Sequence, residues 1–172
     1  MPISDLRAFR DDGSINVVVE SPRGSGVKFK YDAGSGLIML SRPLPVGLSY
    51  PYDWGFIPGT HAADGDPFDA MVMWDGTSFP AVVLPCRAVG LLQVEQTNLT
   101  SRARERNDRV LAAPVKDPHS DRIRGLDDVT ARVRAELEQF FLAAVAFEGK
   151  NVAVLGWAGA DAALSAIREA AI

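Results

Sequence analysis

Three carboxylates fall within six residues at Asp64-Gly65-Asp66-Pro67-Phe68-Asp69, and no Lys or Arg stands near them in the chain. Carboxylates this close repel one another unless something neutralises them. A hard divalent cation does so. Mg²⁺ binds through a few carboxylates, keeps several waters and commonly brings a phosphate with it, and Mn²⁺ or another divalent ion can use the same oxygen donors. Gly65 and Pro67 shape a turn that can aim alternate carboxylates inward, and the apolar run after Phe68 anchors Asp69. Two other readings of the motif exist. One is a solvated acidic turn. The other is a calcium loop, with Asp75 twelfth from Asp64, but such a loop needs Gly where Asp69 stands and helices on both flanks.

A metal site of this kind needs a substrate of opposite charge to the metals, and phosphate is the natural one. The cations that could hold it are Lys28, Lys30, Arg42 and Arg109. Lys28 and Lys30 share one face of an alternating segment, opposite Val27, Phe29 and Tyr31. His61, beside the acidic turn, could orient a water or simply lie on the surface. Cys86 sits in an apolar run with no His nearby, which suits a packed residue better than a nucleophile. The chain has no phosphate-binding G-x-x-x-x-G-K-[ST] loop, no dinucleotide fingerprint and no G-x-S-x-G elbow.

The whole composition frames this cluster. The 172 residues carry 22 Asp+Glu against 18 Lys+Arg, a net charge of −4. Pro43–Cys86 contains five Asp and no Lys, Arg or Glu, so that window is −5 and the remainder +1. The length suits a single domain over 1–172. One Cys and two His cannot build an intramolecular disulfide or a four-ligand Cys/His zinc site. A mildly acidic chain without a long basic run is a poor partner for duplex nucleic acid. Asp5, Arg7, Arg10, Asp11 and Asp12 interrupt any apolar leader, and no stretch approaches the ~20 apolar residues of a membrane span. The expectation is a soluble, reduced, cytoplasmic protein without nucleic-acid or membrane partners.

The elements that must position these groups are mainly strands. Gly and Pro punctuate the first two thirds, and between them lie short runs at Ile15–Glu20, Val27–Tyr31, Leu37–Leu40, Phe68–Trp74, Ala81–Cys86, Ala88–Val94 and Arg109–Ala113. They are too closely spaced for helical crossovers, which favours a barrel or sandwich. Pro43–Thr60, with four prolines and three glycines, reads as a loop across one end. After Gly125, Val129, Val133, Leu137, Phe140, Phe141 and Ala144 recur at helical spacing, and Asp127 or Asp128 can cap that helix. A strand at Asn151–Leu155 and a last helix from Asp161 to about Ala170 complete the chain.

The acidic motif resembles the D-G-D-P-x-D signature of the family I soluble inorganic pyrophosphatases. Further similarities appear in order from about Ile15 to Trp157: Val19-Glu20-Ser21-Pro22 ahead of Lys28, Arg42 before Tyr50-Pro51, Gly55-Phe56-Ile57, Cys86-Arg87-Ala88-Val89-Gly90, Ala113-Pro114, Phe140-Phe141 and Gly156-Trp157. The resemblance implies a mainly β (α+β) fold: a closed, five-stranded OB-like barrel with flanking α-helices, the main one near 127–147 and a C-terminal one near 161–170. It implies Mg²⁺-dependent hydrolysis of pyrophosphate to two phosphates by a homo-oligomer, a hexamer in bacteria. Carried over by motif, Asp64 and Asp69 are metal ligands and Asp69 bridges two ions. Asp66 is the general base at the metals, Glu20 reaches a metal through water, and Lys28 and Arg42 hold phosphate. Two close cations acidify the attacking water and screen its approach to pyrophosphate, while Lys and Arg stabilise the departing phosphate.

Several positions depart from the family's pattern. Trp54 stands where a phosphate-binding Tyr is expected, leaving an N–H but no hydroxyl for substrate. Ala144-Val145 replaces a Tyr-Lys pair. Lys30 replaces an acid. Gln96 falls near a metal-binding Asp, next to Glu95. Register from Pro114 puts Asn107 at a second Asp and Arg109 at a phosphate-binding Lys, with Asp108, Glu95 and Glu105 as substitute metal ligands. Lys30 and the Arg102/Arg104/Arg106 run are new cations. Two further functions fit the same residues: hydrolysis of a larger phosphoanhydride such as a nucleotide, with Trp54 as a stacking face, and non-catalytic phosphate or metal binding.

Overall fold

The computed structural model describes residues 2–172. In chain order its strands are β1 (Ile15–Ser21), β2 (Val27–Asp32), β3 (Leu37–Pro43), β4 (Asp53–Ile57), β5 (Phe68–Val72), β6 (Val83–Thr97), β7 (Arg104–Arg106), β8 (Arg109–Pro114) and β9 (Ala153–Gly159). Two helices, α1 (Ala131–Ala144) and α2 (Ala160–Ala170), flank them.

Five strands close a ring. Its order is β1-β4-β5-β8-β6, and β6 returns to pair with β1. All ring pairings are antiparallel except β5–β8, which is parallel. β7 and β9 extend the sheet from β6, and β2–β3 forms a separate hairpin. This is the mainly β, OB-like architecture with flanking helices that the resemblance implies.

Successive strand residues point to opposite sides, and here both sides are covered. Ala70, Val72, Val110 and Ala112 pack in one core with Ala163 and Ile167 of α2. Their neighbours Met71, Met73, Leu111 and Ala113 pack in a second core with Leu137 and Phe141 of α1. Strands buried on both faces read as continuous apolar runs, which is how β1, β5 and β8 appear in the sequence.

Four local expectations change. Pro43–Thr60 is not all loop, because Asp53–Ile57 is a wholly buried ring strand between β1 and β5. Ala81–Cys86 and Ala88–Val94 are one 15-residue strand, β6, which accommodates a bulge between Ala88 and Gly90 instead of turning. Thr130, not Asp127 or Asp128, caps α1: its hydroxyl accepts from Val133 N–H. Asp128 instead accepts from the Arg124 and Gly125 N–H groups in a 3₁₀ turn over Leu126–Asp128, so α1 is shorter than 127–147. The late strand runs Ala153–Gly159, and α2 begins directly from it at Ala160.

Candidate active site

The acidic turn is tied at both ends before any ligand is considered. Thr60 Oγ1 donates to Ile57 O at 2.6 Å and accepts from Phe68 N–H at 2.8 Å, clamping the exit of β4 to the start of β5. Ala62 N–H donates to Asp66 O, and Asp66 N–H to Asp64 Oδ1. Gly65 takes φ +87°, where a side chain is strained. Asp69 then lies on β5 between Phe56 of β4 and Arg109 of β8 in strand register.

A cleft of about 430 Å³ opens at this end of the ring. Its carboxylates are Glu20, Asp64, Asp66, Asp69 and Glu148. Its cations are Lys28, Lys30, Arg42, Arg109 and Lys150. The hairpin brings three of these cations. Lys28 and Arg42 are direct cross-strand partners, and like charges in that position repel. The hairpin is held to β1 by side chains: Ser21 Oγ accepts from Phe29 N–H at 2.9 Å, and Glu20 Oε1 accepts from Tyr31 N–H at 2.6 Å.

Burial and charge tune the acids. Glu20 is 5% exposed at the end of β1. That burial raises it to about 7, with the Asp69 charge adding to the rise, while the Tyr31 N–H and Lys28 pull the other way. Burial likewise raises Asp64, with help from the charges of Asp69 and Asp66. Asp69 is raised by burial against the opposing charges of Arg109 and Lys28. Burial lowers Lys28, and Asp69 and Glu20 oppose that loss of charge. A cation beside the acids would favour their ionised forms, and an anion beside Lys28 would favour its charged form.

Arg109 is anchored from below. Its guanidinium lies 5.8 Å over the Trp54 ring and 5.4 Å over Phe141, and Nη1 donates to Asn107 O. Trp54 is therefore a support for Arg109 rather than a wall of the cleft. It is 4% exposed and packs against Tyr50 and Phe141 at ring distances of 6.0 and 5.6 Å. The expected substrate contact through Trp54 has no geometric basis, and neither has its role as a stacking face for a nucleotide.

The structure also leaves Asp108 out of the cleft. Its carboxylate accepts from Val94 N–H at 2.9 Å and from Arg106 at 2.8 and 3.0 Å, which ties β7 to β6. Glu95 pairs with Arg104 at 3.2 Å. Asn107 and Gln96 face the cleft instead. Asn107 Nδ2 donates to Gln96 Oε1 at 3.0 Å, and Gln96 Nε2 donates to Glu105 Oε1 at 3.2 Å. His61 is exposed and joins a neighbouring apolar groove, not this cleft.

Two cleft residues escaped the sequence reading. Glu148 and Lys150 reach the cleft from the turn after α1, where Glu148 pairs with Arg42 at 3.3 Å. Nothing in the local run Phe147-Glu148-Gly149-Lys150 marks them, because their relevance depends on where α1 ends in space. Two acids of the −5 window also find structural partners. Asp53, 1% exposed, accepts from Arg23 N–H and Trp74 Nε1–H at 2.8 and 2.6 Å. Asp75 lies near Arg23 and Arg122 on the surface.

The donors suit a hard divalent cation. Every acid in the cleft offers carboxylate oxygen, yet among the described residues no three acids, His or Cys converge on one point. Mg²⁺ is held in this way, by one or two carboxylates, with water and phosphate oxygens filling the rest of its shell.

Comparison with known proteins agrees over nearly the whole chain. The family model described as inorganic pyrophosphatase matches residues 17–172. The chain is 35% identical over 169 residues to an inorganic pyrophosphatase of Synechocystis sp., covering 98% of this chain and 96% of that one. It is 40% identical over 157 residues to one from Thermus thermophilus, covering 90% and 86%. The crystal structure of the inorganic pyrophosphatase from Thermus thermophilus superposes with a TM-score of 0.89 at 36% identity, over 99% of this chain and 97% of that one. A second, from Coxiella burnetii, gives 0.87 at 29% identity over 96% and 97%. Matched by that family model over residues 17–172 and by relatives at 35–40% identity over most of its length, the chain belongs to the inorganic pyrophosphatase family.

Proposed function

We propose that this chain hydrolyses inorganic pyrophosphate to two phosphates with the help of a divalent cation, Mg²⁺ first among them. One observation carries this reading: Asp64, Asp66 and Asp69 share a cleft with Lys28, Arg42 and Arg109. Asp64 and Asp69 would hold the cation, and Glu20 would meet it through water. When bound, the cation supplies an acidified water and neutralises charge on the anion.

The protein's own groups do the rest. Lys28 and Arg42, opposed across the hairpin, grip phosphate oxygens and fix the anhydride in line with the attacking water. Asp66 accepts the proton of that water. Arg109, braced on Trp54 and Phe141, is buried and fixed, so it is suited to stabilise charge on the departing phosphate. Lys150 brings a further cation to the same cleft.

The reading extends to one domain over 1–172 acting in the cytoplasm as a homo-oligomer, the hexamer that the family resemblance implies. Exposed Leu37, Met39 and Leu40 on β3 support self-association. Buried Cys86, whose thiol burial pushes up, suits a reducing compartment. No helix among the described residues is long and apolar enough to cross a membrane. Phosphate release from pyrophosphate, measured with and without Mg²⁺ and beside a nucleotide triphosphate, tests the activity. Metal-dependent release with preference for pyrophosphate supports it, and release only from the nucleotide contradicts it.

A further inference from the structure

The cleft is balanced in charge before any metal arrives. Its five carboxylates face five cations, whereas a phosphate site lined by acids alone would repel its ligand until loaded with metal. Lys30 is the decisive group. Its ammonium reaches across from the hairpin to Asp66 Oδ2 at 2.7 Å, and both side chains remain about half exposed. An exposed pair of this kind exchanges partners at little cost, so Lys30 can turn from Asp66 to an incoming anion.

The uncharged lining of the cleft points the same way. Both ends of the Gln96 amide are occupied, Oε1 accepting from Asn107 and Nε2 donating to Glu105. The Gln96 and Asn107 amides therefore line the cleft as neutral groups. Arg42 is paired with Glu148 and Lys30 with Asp66, while Lys28 is in neither pair. Lys28 is also partly buried, which makes a charged partner more valuable to it.

We infer that this cleft binds pyrophosphate without a divalent cation already in place, with Lys28 and Arg42 gripping the anion and Lys30 leaving Asp66 to join them. The inference rests on the reading of the cleft as a pyrophosphate site. It adds that metal is needed for turnover but not for capture, so anion and cation can enter in either order.

Calorimetric titration with pyrophosphate in EDTA tests it, using the wild type and Lys30→Glu, each checked by thermal melting. Saturable binding by the wild type in EDTA, weakened at least tenfold in Lys30→Glu and largely recovered by that variant when Mg²⁺ replaces EDTA, is the expected result. Absence of wild-type binding in EDTA, or equal affinities for the two proteins there, overturns the inference. Phosphate release with Mg²⁺ on the same wild-type sample separates the two readings. Turnover without EDTA binding overturns only the order of loading, and EDTA binding without turnover overturns only the proposed activity.

Discussion

Glu20 links stability to the site. Its carboxyl is raised from 4.5 to about 7, first by burial. Between those values the folded protein binds more protons than the unfolded chain, so stability falls as pH rises through this window and stays lower above it. The loss is on the order of 3 kcal/mol. Glu20→Gln keeps an acceptor for Tyr31 N–H but carries no charge. Its melting curve in EDTA should match the wild type near pH 4 and exceed it at pH 8, and parallel pH dependence of the two proteins would contradict the role of burial. At this scale the sequence was readable wherever the chemistry is contiguous. Asp64, Asp66, Asp69, Lys28 and Lys30 all meet in the cleft, because one turn and one alternating strand suffice to place them. Asp108 was harder, since its direction depends on how β7 folds back on β6. Trp54 was harder still, since β4 is buried on both sides.

Among the elements, β4 shows best why punctuation misleads. Prolines and glycines surround it, yet Gly55 is there to allow close approach rather than to break the strand. A Cβ at this position would lie 1.8 Å from Val18 O on β1. Gly55→Ala must therefore push β4 away from β1 and disturb Asp69 on the adjoining strand β5. A loss of about 3 kcal/mol in unfolding free energy by urea titration is expected, and an unchanged midpoint would show that β1 and β4 part without strain. The β2–β3 hairpin was legible from its alternation and its Gly-rich turn. Its attachment was not, because Ser21 and Glu20 side chains hold it instead of a backbone ladder.

For the whole molecule, the ring accounts for the charge pattern of the chain. The −5 window supplies β4, the acidic turn and β5, and the positive remainder supplies the hairpin and β8 that complete the cleft. Closure of the ring could be expected from short, closely spaced strands, but the parallel β5–β8 pairing could not, since no local pattern encodes which strands meet. Apolar side chains left outside the two cores, Leu37, Met39 and Leu40 among them, fit the self-association proposed above. Sedimentation at micromolar concentration should show a species several times 18.5 kDa, and a monomer alone would contradict that expectation.

The proposed role of the acids of the turn in hydrolysing pyrophosphate is tested most directly by their neutral variants. Phosphate release should be compared at saturating Mg²⁺ for the wild type, Asp66→Asn and Asp69→Asn, each with its melting temperature recorded. Removing a positioned proton acceptor or a metal-holding carboxylate should lower the rate by about 10²-fold or more, while both variants stay folded, because Asp66 is exposed and Asp69 gains a neutral side chain in a site that already favours neutrality. Rapid Mg²⁺-dependent release by the wild type and near-background rates for both variants are expected. A wild type no faster than its variants would contradict that role.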